Sequence, residues 1–165
     1  MNAIDIIKEQ IISVKEKTDH FIKTIALEKW CVTPEILETN MNWQIGHLIL
    51  ANYLHGIASI SGPNKSIRDS IDMTSFVTYY GPKSIPNLHL DEKPKNEELL
   101  ALYEIVFELL YSEVDKIKIE ELINATEVPN PSAKTKYEAL TTVFKHQSWH
   151  NGQIAVLNRV LKEIK

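Results

Sequence analysis

Cysteine is nearly absent from this chain. Cys31 stands alone among 165 residues, so no disulfide can form within it, and a cytoplasmic home is the simplest expectation. Glycine is scarce as well, with five residues, and long segments carry no proline. The usual punctuation of strands and tight turns is thus missing, which leaves helix as the expected state throughout. No apolar run is long enough to span a bilayer. The first turns carry Asp5, Lys8 and Glu9 in place of the unbroken apolar core of a signal peptide. A concentrated basic face is lacking too: Lys and Arg are dispersed and the net charge is -4, which argues against the counterion-displacing surface of a nucleic-acid binder. Neither nucleic acid nor membrane is expected as a partner.

What is present is the mix of an ordinary globular domain, 44% apolar and 24% charged, and residues 1–165 read as one unit with a real core. Ile4, Ile7, Ile11, Val14, Phe21 and Ile25 recur at steps of three and four, predicting a helix over roughly 3–25 with Thr18 interrupting its stripe. Asn40 and Asn42 are candidate caps for a second helix over roughly 42–60. This helix is apolar nearly all round, so it is either central or buried against a second subunit; a homodimer contact through it is the favoured expectation.

A long connection carrying Pro82, Pro86 and Pro94 follows, with room for a short helix between Ser66 and Tyr80. Such segments often serve as lids or walls, and Arg68, Tyr79, Tyr80 and His89 are candidates to line a pocket there. Asn96 is the expected cap of a third helix, whose stripe runs from Leu99 to Ile117. A fourth helix runs over roughly 135–164, with Val143, His150, Ile154, Leu157, Leu161 and Ile164 inward. The expected architecture is all-α: a four-helix bundle with a long connection between its second and third helices.

Three histidines carry the chemistry. His146 and His150 are four residues apart and share one helix face. That spacing alone is common, and a core histidine is more often hydrogen-bonded than metallated. His47, however, occupies the centre of the second helix's buried stripe, with Trp43, Leu50, Ala51, Leu54 and Ala58 within about 60° of it. Three buried imidazoles are costly unless something satisfies their nitrogens, and three neutral histidines are the ligand set of a catalytic zinc site with one position open. Zn2+ is favoured, while Ni2+ and Fe2+ accept the same ligands. His55 falls about 80° round from His47, at the stripe's edge, as an outer-layer or surface residue. Gln153 lies beside His146 and is a candidate to hydrogen-bond a ligand or its bound water. Trp43 and Trp149 read as packing residues, and Arg159 as a surface cation. No general acid or base can be assigned.

The run Asn42-Trp43-Gln44-Ile45-Gly46-His47-Leu48, followed a hundred residues on by His146, His150, Asn151, Gly152, Gln153 and Ile154, resembles the DinB superfamily of DinB/YfiT-like metal-dependent enzymes over almost the entire chain. The resemblance implies a four-helix bundle, often dimeric, holding a divalent metal on His47, His146 and His150. Asn151 stands where relatives often carry arginine, which is expected to alter surface charge or substrate contacts nearby. For chemistry the resemblance implies a small-molecule substrate and a low-molecular-weight thiol cosubstrate, whose sulfur the metal would activate for S-transfer. Metal-dependent hydrolysis of a small amide or ester is the second expectation, and a non-catalytic metal-binding or interaction bundle the third. The family name points to DNA damage and stress responses, but nothing in this sequence supports contact with nucleic acid.

Overall fold

The computed structural model describes residues 2–164. Helix α1 (Ala3–Thr24) starts at Asn2, whose side-chain oxygen accepts from the N–H groups of Ile4 and Asp5 while the Asp5 carboxylate accepts from Asn2 N–H. This reciprocal cap satisfies donors that the first turn would otherwise leave bare. A 3-10 turn (Leu27–Lys29) leads on to α2 (Met41–Asn52), capped by Asn40, which accepts from Trp43 N–H at 2.8 Å. Asn42, the other candidate cap, lies inside the helix and accepts from the Tyr80 hydroxyl. The rod of α2 continues through a π-helical segment (Tyr53–Ala58) and a last α turn (Ser59–Ser61), and stops at Gly62, whose φ of 85° places it in the left-handed region open to glycine.

The long connection is more ordered than its prolines suggest. It holds α3 (Lys65–Ser70) and α4 (Met73–Tyr80), capped by Asn64 and Asp72. Helix α5 (Asn96–Lys116) follows, then a 3-10 turn (Ile119–Ile123) and α6 (Lys136–Glu163), which Thr135 and Glu138 cap reciprocally. Asn96 is the first residue of α5 and not its cap: its side chain donates to the Leu27 carbonyl and accepts from Asn42, tying α5 to the α1–α2 link. No strand forms among the described residues, and none of their helices is long and apolar enough to cross a membrane.

Helix α1 packs along α6, and α2 packs against α5, α6 and α4. Burial follows the predicted stripes, with Ile7, Ile11, Phe21, Leu99, Tyr103, Val106, Leu110, Val143, Ile154 and Leu157 in one core. Ile164 departs from its stripe and is exposed at the end of α6. The all-round apolarity of α2 has its explanation inside the chain. Met41, Ile45, Leu48 and Ile49 are fully buried among the chain's own helices, so no second copy is needed to cover them.

One polar seam crosses this core. Thr18, which breaks the stripe of α1, is fully buried. Gln147 of α6 donates to Thr18 Oγ1 at 2.8 Å and to the Tyr103 hydroxyl of α5 at 3.0 Å, and accepts from Asn52 of α2 at 2.8 Å. Asn151 accepts from Thr18 and donates to the Val14 carbonyl. Asn151 therefore faces α1 and is buried, with its polar groups taken up by that helix. All four long helices meet in this network.

Two glycines should respond to alanine in opposite directions. A Cβ on Gly46 would land inside the Tyr80 ring, whereas one on Gly152, exposed in mid-α6, meets nothing within 4 Å. Gly46→Ala is expected to cost about 1–3 kcal/mol through overpacking. Gly152→Ala should add about 0.5–1 kcal/mol of helix preference. Urea midpoints check both, and shifts of the same sign would contradict this packing.

Candidate metal centre

His47 comes from the middle of α2, and His146 and His150 from successive turns of α6. Their ring nitrogens converge: His146 Nε2 lies 3.3 Å from His47 Nε2 and 3.2 Å from His150 Nε2. Among the described residues this is the group of His, Cys, Asp and Glu side chains able to share one ion, and no fourth such residue joins it.

The outer nitrogens decide what the inner ones can do. His47 Nδ1 donates to the Tyr80 backbone carbonyl at 2.7 Å; a carbonyl can only accept, so the proton sits on Nδ1 and Nε2 presents a lone pair. His150 Nδ1 donates to Gln44 Oε1, which leaves its Nε2 in the same state. Gln44 is itself held, donating to Thr39 Oγ1 and to Gln153 Oε1, each at 2.8 Å. Gln153 thus acts at one remove, by steadying Gln44, and does not reach the ligands' inner side.

Two lone pairs aimed at a third imidazole need a positive partner. A proton on His146 Nε2 could serve one of them, whereas a cation serves all three. Two nitrogens each about 2.0–2.1 Å from a tetrahedral ion lie about 3.3 Å apart, which matches both measured separations. The donor set therefore fits a divalent metal. One nitrogen lacks support: His146 Nδ1 is buried without a hydrogen-bond partner, so the orienting contact usual for a ligating histidine is present for two of the three.

The electrostatics are those of a site without counter-charge. Burial lowers the pKa of His146 to about 4 and of His150 to about 3, with repulsion from the neighbouring imidazoles adding to it. His47 is lowered as well, by burial, against the pull of the Tyr80 carbonyl. No carboxylate contributes to any of these shifts. All three are thus neutral ligands near pH 7.

His47 and His146 form part of the wall of a cavity of about 610 Å³, otherwise built mainly from apolar residues such as Leu50, Leu54, Met73, Val77 and Trp149. The long connection supplies one wall, as expected, but not with the expected residues. Tyr80 turns its ring into the core and offers its carbonyl to His47. Tyr79 lines a separate cleft with Glu92, and Arg68 and His89 are exposed away from the triad. Trp43 stacks on His47 with ring centroids 4.8 Å apart and planes 8° off parallel, and donates to Ser84 Oγ at 2.7 Å. Trp149 is 69% exposed at the cavity and is not a packing residue. His55 is buried, its ring centroid 6.3 Å from that of His146, and it also lines the cavity.

The depressed histidine pKa values fix a pH dependence for the metal-free fold. Above about pH 6.5 neither folded nor unfolded histidines bind protons. Below it the unfolded chain takes up protons that folded His146 and His150 refuse, so stability is lost as pH falls from about 6.5 towards about 3–4. At pH 5 the loss should be on the order of 2 kcal/mol for His150 alone. Melting curves in chelator at pH 7.5 and pH 5 should show it, and a His146→Gln/His150→Gln variant should melt with a much smaller difference. An equal difference in both proteins would assign the acid sensitivity elsewhere.

Comparison with known proteins agrees with this centre. No curated protein matches the chain. The family model described as the DinB superfamily matches residues 10–154, a span that takes in all three histidines, the whole of α2 and α6 as far as Ile154. The chain belongs to the DinB superfamily.

Proposed function

We propose that this protein is a metal-dependent enzyme that transfers the sulfur of a low-molecular-weight thiol to a small apolar electrophile. The observation that carries the reading is the convergence of three neutral imidazoles through their Nε2 atoms, two of them, His47 and His146, in the wall of an apolar cavity. A divalent cation held by His47, His146 and His150, with Zn2+ favoured, supplies positive charge that lowers the pKa of a thiol in its reach. Three neutral ligands with no carboxylate nearby leave that charge uncompensated, a setting that favours an anionic sulfur over a neutral group.

The chain's own residues do the rest. Tyr80 and Gln44 hold two imidazoles in the tautomer that points a lone pair inward. Trp43 covers one face of His47 and keeps it dry. The apolar wall takes up the electrophile and excludes water. The thiolate sulfur then attacks the electrophilic carbon, the S–C bond forms as the bond to the leaving group breaks, and the thiol proton passes to solvent. No Asp or Glu lines the cavity to act as general base for attack by water, which counts against the hydrolytic alternative. The lack of a fourth protein ligand among the described residues counts against a closed structural site.

Protein purified without a histidine tag should carry about one divalent ion per chain, and the His47→Ala/His150→Ala variant at least tenfold less. With monochlorobimane as electrophile, one member of a panel of cysteine, glutathione, coenzyme A, bacillithiol and mycothiol should be conjugated faster than in buffer, and not by the double variant. Equal metal content in both proteins would remove the centre. Turnover of esters or amides without any thiol would replace transfer by hydrolysis. Separately, Gln44→Leu should weaken metal binding about 10–100-fold, the usual effect of losing an orienting contact, as read by competition with a chromogenic chelator.

A further inference from the structure

His55 is a fourth histidine at the cavity, and its state can be read from its surroundings. Asn130, in the segment before α6, has its amide orientation fixed, because its Oδ1 accepts from the backbone N–H of Ser132 at 2.9 Å and a backbone N–H can only donate. Its Nδ2 must then face the other way, where it donates to Ser59 Oγ at 2.9 Å and meets His55 Nδ1 at 2.8 Å. With an N–H already pointing at it, His55 Nδ1 is an acceptor, and the ring proton resides on Nε2.

That N–H has no partner among the described residues, yet it is not shut away. The buried side-chain atoms left without a partner are Asp19 Oδ1 and His146 Nδ1, while His55 belongs to the cavity lining. The backbone explains how it gets there. Residues of an ordinary α-helix advance about 100° each, which would leave His55 at the edge of the face that His47 centres. The π-helical segment Tyr53–Ala58 is wider, so each of its residues advances less and His55 falls closer to two full turns beyond His47. His55 does not join the three converging nitrogens, and a protonated Nε2 cannot ligate.

We propose that His55 is a substrate-binding residue whose Nε2–H donates a hydrogen bond to the carbonyl oxygen of an apolar, carbonyl-bearing substrate in the cavity beside the three-histidine centre. The cavity's remaining lining sets the rest of the class. It is apolar apart from a few small polar groups, and its one charged residue is the cation Lys145, so cationic substrates are disfavoured and neutral or anionic ones accepted. The inference draws on the proposed transferase reading only for which atoms react; the binding geometry stands without it.

The test uses prodan, a naphthalene fluorophore with a single ketone whose emission moves to the red when that ketone accepts a hydrogen bond. Titrations are run on the protein as purified and again after chelation, so that a failure of the metal reading leaves this result interpretable. Wild type and His55→Gln, which retains an N–H donor, should bind with similar affinity and red-shifted emission. His55→Phe, which keeps a flat ring of similar size, should bind about five- to tenfold more weakly, with emission moved to the blue and metal content unchanged. No binding by wild type, equal binding by His55→Phe, or equal weakening in both variants would overturn the proposal. So would loss of metal from His55→Phe, since His55 would then be a ligand.

Discussion

Gln147 is the residue on which the relative placement of the four long helices depends. It is a fully buried amide with one partner on each of α1, α2 and α5. A buried amide deprived of a partner costs on the order of 1–3 kcal/mol, so sliding α6 by one turn against any neighbour would strand at least one polar group. Apolar contacts are tolerant of small slips, and hydrogen bonds between side chains in a dry core are not. The network gives α6 one register. His146 and His150 each immediately precede a network amide, Gln147 and Asn151, so the bonds that fix the amides also fix where the imidazoles lie.

Adjacent residues on a helix point about 100° apart. The paired positions of α6 therefore serve two faces: amides towards α1 and the core, imidazoles towards α2 and the cavity. Helix α2 answers in kind. Gly46 leaves room for the Tyr80 ring, which brings the end of α4 close enough for its last carbonyl to reach His47. Gln44 reaches across to His150. The long connection is thus part of the centre's support, through a main-chain atom, and part of the cavity's wall.

How much of this was legible beforehand varies with the kind of signal. The helices follow from periodicity and capping, and the convergence of His47, His146 and His150 from inward placement on two helices. The roles of Gln44 and Tyr80 were not legible: a glutamine in an apolar helix has no signature, and a carbonyl belongs to every residue. Thr18 looked like a flaw in a stripe, and Asn151 like a surface change, because the pattern of one helix says nothing of the polar partner that another helix brings. Asn96 missed its capping role because Leu27 and Asn42 compete for its side chain. The all-round apolarity of α2 suits a helix that touches α4, α5 and α6 at once, which is a separate matter from whether two copies of the chain associate.

The π-helical segment makes chain length itself a chemical variable. A wide turn amounts to one residue more than an α-helix would use to cover the same ground. Wound instead as regular α-helix at its present length, with every side chain still of the same kind, the chain would carry His55 eight steps of about 100° from His47. That would leave it about 80° off the face of His47, whereas the wide turn takes up that excess. What residue 55 does in this protein is set by how many residues come before it as much as by its being a histidine. A comparison of relatives by residue type alone, without counting positions through this turn, would pair groups that point in different directions.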